Sequence, residues 1–219
     1  MAMTVTAIEE YPKGKGRVAV YLNNDFAFVL YKGEVKSYNI ELNQELSDET
    51  YERILNEVLI KRARKRAMNL IKSIDRTESD VRRKLSEGGY PQRAVDEAIE
   101  YLKSFRYIDD LRYASEYIRF KSGTYSRKQI VGKLLEKGIS KDTIEEAYNV
   151  YEEENGIDSE ESERKLIEAL IRKRCTLGID NQTYDEKRKL FAYLYGKGFS
   201  VSSIEKVYSS ISSGAECGL

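Results

Sequence analysis

The apolar positions of this chain follow two different rhythms. Over residues 3–40 they crowd into short runs rich in valine, phenylalanine and tyrosine: Arg17 to Leu22, Phe26 to Tyr31 and Val35 to Ile40, with Thr4 to Ile8 as a fourth candidate strand. Asn23-Asn24-Asp25 and Lys32-Gly33-Glu34 supply turn residues between them, which predicts a small antiparallel β-meander over residues 1–46. After Ser47 the apolar residues recur at helical spacing, starting with Tyr51, Ile54, Leu55, Val58 and Leu59 of a connecting helix over 47–60. Ala63, Ala67, Leu70, Ile71 and Ile74 continue the same spacing into a further helix.

From Thr77 onward the helical pattern repeats. TESDVRRKLSEGGYPQRAVDEAIEYL, starting at Thr77, is matched 49 residues later by SRKQIVGKLLEKGISKDTIEEAYNVY, starting at Ser126. A looser third copy follows 60 residues further on, with Leu190, Leu194, Gly198, Phe199, Ile204, Val207, Tyr208 and Ile211 in the equivalent places. Each copy opens on a hydroxyl with a carboxylate or amide three residues on (Thr77 and Asp80, Ser126 and Gln129, Thr183 and Glu186), the signature of a capped helix start. An apolar pair four residues apart gives one short helical face, and Gly89, Gly138 or Gly198 ends it. Pro91, Ser140 and Ser200 then stand at the start of the next helix. A leading helix precedes each pair, so the unit is three helices, and the fold class is mainly α: tandem three-helix, helix-turn-helix-like repeats in an elongated array behind the meander. The repeats are placed at 61–105, 106–153 and 154–211, the last including an acidic hinge, EEENGIDSEESE, at residues 152–163. Residues 212–219 read as a flexible tail.

Composition changes this picture in three respects. The chain has no histidine, which removes imidazole bases, histidine-bearing triads and histidine-ligated metals. No Walker loop, dinucleotide fingerprint or nucleophile elbow is present, and Gly14 and Gly16 open no helix, so they read as an exposed hairpin. A non-enzymatic protein without cofactor or metal is expected. Two cysteines, Cys175 and Cys217, suggest no disulfide framework, and no run resembles a membrane span or a secretory leader, so a cytoplasmic location is expected. Finally, a net charge of zero hides a segregation: −4 over residues 1–60, +9 over 61–139 and −5 over 140–219.

The positive middle holds three clusters: Arg62, Arg64, Lys65 and Arg66; Arg82, Arg83 and Lys84; Arg119, Lys121, Arg127, Lys128 and Lys133. Such groups meet phosphates without regard to base sequence. Charge reversal at Arg82 and Arg83 together is expected to weaken binding without unfolding the repeat. Asp109-Asp110, with Arg112 nearby, reads as a helix start rather than a catalytic pair. Tyr113, Tyr117 and Ile118 read as packing residues, although a tyrosine exposed beside Arg119 would stack an unpaired base.

Residues 105–118, FRYIDDLRYASEYI, resemble the signature that opens the middle repeat of the RecX regulatory proteins, through Phe105, Tyr107, Ile108, Asp109, Asp110, Arg112, Tyr113, Ala114, Tyr117 and Ile118. The following KSGTYSRKQIVGKLLEKGI is similar to that family as well. The resemblance implies a regulator that binds the RecA recombinase filament on single-stranded DNA and suppresses its ATPase and strand exchange, and a monomer is expected. The thirteen cations Arg62 to Lys133 named above, Arg112 included, are the candidate contacts. Two other readings stay open. One is a helix-turn-helix protein acting on duplex DNA directly, which the acidic second helices (Asp96, Glu97, Glu145, Glu146) disfavour. The other is a purely protein-binding helical solenoid.

Overall fold

A computed structural model describes residues 2–156, 158–175, 179 and 182–214. Ile157 of the expected hinge, Cys217 and residues 215–219 of the expected tail lie outside the described residues. The chain divides into two compact units, one ending at Asp109 and one starting at Asp110.

The first unit opens with strands β1 (Met3–Glu10), β2 (Arg17–Leu22) and β3 (Asp25–Tyr31). Asn23 and Asn24 both take positive φ, at 52° and 71°, which is the two-residue turn whose twist matches an antiparallel hairpin. The structure departs from expectation at Val35 to Ile40, which form no strand. Helix α1 (Lys32–Ser37) starts there instead, because the Glu34 carboxylate accepts the Tyr31 amide at 2.8 Å and closes a capping box. The fourth strand is β4 (Glu45–Leu46), paired antiparallel with β1, giving a sheet ordered β3-β2-β1-β4.

Helix α2 (Asp48–Ile54) passes through a π-helical stretch, Leu55–Leu59, directly into α3 (Ile60–Ile71). Ser47 caps α2 by accepting the Thr50 amide at 3.2 Å. Helices α4 (Glu78–Ser86) and α5 (Gln92–Ser104) complete the first repeat. The sheet and these helices share one core: Val20, Phe28 and Leu30 from the strands lie in the same cluster as Ile54, Leu59, Ala67, Leu85, Ile99 and Leu102.

The second unit holds α6 (Asp110–Lys121), α7 (Arg127–Glu136) and α8 (Lys141–Asn155), followed by α9 (Ser159–Arg174), α10 (Tyr184–Gly196) and α11 (Val201–Gly214). Each triplet has its own core, around Ile118, Ile130 and Leu134 in one and around Ile167, Leu194 and Ile204 in the other. Helix α11 continues past Ser212, whose hydroxyl donates to the Tyr208 carbonyl at 3.1 Å, so the start of the expected tail is helical.

The repeat chemistry is realised locally. Thr77, Ser126 and Thr183 accept the amides of Asp80, Gln129 and Glu186 at 3.2, 3.3 and 3.3 Å. Gly89, Gly138 and Gly198 take φ of 82°, 79° and 90°, a region where a side chain is strained. The next residue in each case, Tyr90, Ile139 or Phe199, returns its amide to the carbonyl of Leu85, Leu134 or Leu194. Among the described residues no helix is long and apolar enough to cross a membrane.

Candidate nucleic-acid and partner interface

Within the first repeat the predicted cations separate into two kinds. Helix α3 places Arg62 and Arg64 against neighbouring elements, and both are tied up there. Arg62 pairs with Glu34 and lies 4.9 Å over the Tyr31 ring; Arg64 donates to Glu97 at 2.8 Å and lies 5.2 Å over Tyr101. On α4, Arg82 bridges Glu78 and Asp96, and Arg83 bridges Asp80 and Glu87. Burial works against the Arg82 charge, but the hydrogen bonds it donates to Asp96 and Glu78 outweigh that and raise its pKa. In the same way burial opposes ionisation of Asp80, yet Arg76 and Arg83 hold its carboxyl below the ordinary range.

One expectation is corrected by these pairs. The run Arg82-Arg83-Lys84 is not a block of free charge, because two of its three cations are already compensated. Reversing Arg82 and Arg83 would also cost the first unit stability, since a carboxylate at position 82 would face Glu78 and Asp96. The other kind comprises Lys65, Arg66 and Lys84, which make no ion pair with a carboxylate among the described residues. Lys65 and Arg66 are exposed, and Arg66 and Lys84 line one common cleft.

In the second repeat Arg112, Arg119, Lys128 and Lys133 are exposed. Arg119 lies 5.8 Å from the ring of Phe120, which is 74% exposed, so a phenylalanine rather than a tyrosine is the open ring beside it. Lys121 lies 5.6 Å over Tyr125. Arg127 is exposed as well but is engaged within the fold: its guanidinium donates to the Ser159 hydroxyl at 2.8 Å and sits 4.3 Å over the Tyr148 ring, while its amide donates to Glu163 at 3.2 Å. It therefore joins α7 to α8 and α9. The Tyr148 hydroxyl, buried without a hydrogen-bond partner among the described residues, has its pKa pushed up by that burial. Burial likewise raises the Glu163 carboxyl, against the lowering effect of the Arg127 amide and charge.

The signature segment splits between core and surface. Ile108, Ala114 and Ile118 are buried, with Tyr113 and Tyr117 packed against the second core. Phe105 and Tyr107 are 57% and 45% exposed and stack at 5.7 Å, with Tyr101 5.0 Å from Phe105. Arg106 between them has a φ of 54°, a left-handed backbone that sets both rings on one side of a tight bend. Sequence reading did not single out this aromatic row. Its signal was there, as two aromatics flanking one residue past the last apolar position of α5.

Helices α5 and α8 offer little for reading bases. Asp96 and Glu97 compensate Arg82 and Arg64, and Glu145 and Glu146 are exposed on α8. Carboxylates on that face repel the phosphates that flank a groove.

Comparison with known proteins agrees with this architecture along its length. Residues 63–102, 109–147 and 161–208 match the family descriptions "RecX, first three-helix domain", "RecX, second three-helix domain" and "RecX, third three-helix domain". The chain is 31% identical over 204 residues to the regulatory protein RecX of Clostridium botulinum, covering 93% of each. It is 30% identical over 209 residues to that of Clostridium acetobutylicum, covering 95% of this chain and 96% of the relative. A crystal structure of regulatory protein RecX superposes with a TM-score of 0.60 at 25% identity, covering 94% of this chain and 99% of that one. A crystal structure of RecX from Lactobacillus salivarius shares the fold, with a TM-score of 0.61 over 70% of this chain and 96% of that one. Three matched domains in their expected order, and relatives aligned over nearly the whole length, place this chain in the RecX family of regulatory proteins.

Proposed function

We propose that this RecX-family protein binds the filament that the RecA recombinase forms on single-stranded DNA and inhibits its ATPase and strand-exchange activities. On this reading it acts as a cytoplasmic monomer without a cofactor and modulates recombination, repair and the SOS response. The working units are the meander at 1–46, the connecting helix at 47–60 and the repeats at 61–105, 106–153 and 154–211. The observation that supports the reading is family membership spanning all three three-helix domains. Lys65, Arg66, Lys84, Lys128 and Lys133, which lack carboxylate partners among the described residues, are the cations best placed to meet a polyanion on this reading.

The test is RecA ATPase on single-stranded DNA with increasing amounts of the protein. Suppression at substoichiometric levels is expected. Suppression only at amounts that saturate the DNA would replace filament regulation with plain competition for DNA. Full ATPase and strand exchange at a molar excess would refute the reading. A footprint on one duplex sequence with RecA unaffected would establish direct duplex binding instead.

A further inference from the structure

The β1–β2 loop and the first repeat enclose a cleft of about 360 Å³. Its cations come from three places far apart in sequence: Lys13 and Arg17 at the hairpin, Arg66 on α3, and Lys84 on α4. The turn between α4 and α5 forms the floor, and it holds the hairpin cations through neutral oxygens. Lys13 donates to the Glu87 carbonyl at 3.1 Å, and Arg17 donates to the Gly88 carbonyl at 2.8 Å and to the Lys13 carbonyl at 3.1 Å. The Tyr11 hydroxyl donates to the same Glu87 carbonyl at 2.7 Å, and its ring carries the Arg17 guanidinium at 5.1 Å. The hairpin is thus fixed on the repeat by bonds that position positive charge without cancelling it.

That distinguishes the cleft from the paired arginines of the repeat. Arg62, Arg64, Arg82 and Arg83 each make an ion pair with a carboxylate, whereas these four cations make none among the described residues, the Lys84 charge acting on Asp80 only from a distance. The one acid in the wall, Glu87, is held by Arg83 at 2.7 Å. Tyr90 completes the lining, and burial keeps its hydroxyl protonated against the opposing pull of Arg62, Arg17 and Arg66. The lining therefore has four cations and a neutral hydroxyl donor, and its one carboxylate is already spent. Such a set is dominated by cations that meet phosphate oxygens, and it offers few acceptors with which to read a base.

We propose that this cleft binds the sugar–phosphate backbone of a single-stranded nucleic acid, independently of base sequence, with the N-terminal hairpin as a working part of the site. The inference deepens the nucleic-acid half of the function proposed above, and it gives the β-meander a role that the three-helix domains do not supply.

The experiment is fluorescence anisotropy of a labelled oligo-dT with the full chain alone, titrated across a salt series. The variants are the double substitution Arg66→Gln with Lys84→Gln and, as a control away from the cleft, Lys36→Gln with Lys61→Gln. Neither Arg66 nor Lys84 holds the fold through an ion pair, so thermal melts of the double variant should match wild type. Each lost phosphate contact lowers the slope of log affinity against log salt by about 0.7 for a single strand, so the cleft variant should lose about 1.4 and the control nothing. An unchanged slope in the cleft variant would overturn the proposal, as would a wild-type protein that leaves oligo-dT unbound. Displacement by inorganic phosphate at matched ionic strength would identify a free-anion site and overturn the backbone assignment. RecA ATPase measured on the same preparations separates the two claims. Inhibition by a wild type that ignores oligo-dT removes the cleft and keeps the regulator. The expected slopes without inhibition remove the regulator and keep the cleft.

Discussion

Replacing Gly89 by alanine tests whether the turn of the first repeat is pressed against the sheet. At a φ of 82° any side chain carries left-handed strain, roughly 1–2 kcal/mol for an L-residue. The added Cβ would also lie 2.3 Å from Cγ2 and 3.1 Å from Cβ of Val29, a sheet residue that is 2% exposed. Forcing a methyl into packed surroundings costs about 1–3 kcal/mol more. Gly16 is the internal control, since its φ is 73° but a Cβ there meets nothing within 4 Å. Gly16→Ala should show the strain alone. The readout is hydrogen exchange of the β2 and β3 amides, followed by mass spectrometry under native conditions. At about 1.4 kcal/mol per factor of ten, Gly89→Ala should lose roughly 5-fold to 150-fold more protection than Gly16→Ala. Equal losses would refute the packing argument and leave the turn merely adjacent to the strand.

Arg82→Glu should lower the thermal stability of the first unit by about 1–2 kcal/mol, because it removes two ion pairs and adds a third acid beside Glu78 and Asp96; an unchanged melting temperature would mean these pairs contribute nothing. Two local sites should respond oppositely to acid, the α7–α9 junction and the ion pairs of α4. Glu163 has a folded pKa above its ordinary 4.5, so its contribution to stability is fully present below the unfolded value and is lost as pH rises through the folded one. Glu78 and Asp80 are depressed by their partners, so their contribution is present at neutral pH and lost as pH falls through their folded values. Protection of the α7–α9 junction amides, measured relative to their intrinsic exchange rate at each pH, should therefore rise on moderate acidification, and Glu163→Gln should abolish that trend; a trend surviving in the variant would assign it to another group.

The elements legible in the sequence were those written by near neighbours. A hydroxyl three residues before its amide, a glycine after an apolar pair and an asparagine pair between valine-rich runs all act within one turn of chain. The caps at Thr77, Ser126 and Thr183 accordingly fall where their spacing puts them. Val35 to Ile40 misled because its apolar content suits a strand, whereas the Glu34 carboxylate closes a helical turn on Tyr31. Charge was the least legible property. Arg82 reaches Asp96 14 residues away, Arg62 reaches Glu34 28 away, and Arg64 reaches Glu97 33 away. A cluster counted along the chain has no access to such partners. Lys13 and Arg17 were overlooked for the converse reason, since the loop that carries them adjoins the other cations only after the sheet has settled on the repeat.

The Ser126 hydroxyl has two duties: it accepts the Gln129 amide that begins α7, and it donates at 2.8 Å to the Lys197 carbonyl in the turn between α10 and α11. A methyl on Gly198 would lie 2.7 Å from that same oxygen. Successive bricks in this half of the molecule are thus mortared by an atom that one of them already needs for itself. Tandem architectures are often imagined to grow and shrink by unequal crossing-over, each copy a spare part. Here a crossover that deleted the last copy would strip an acceptor from its predecessor, and one that inserted a stranger between them would have to bring a bare glycine to the same spot. Neither change would leave the second copy's own cap as it stands here.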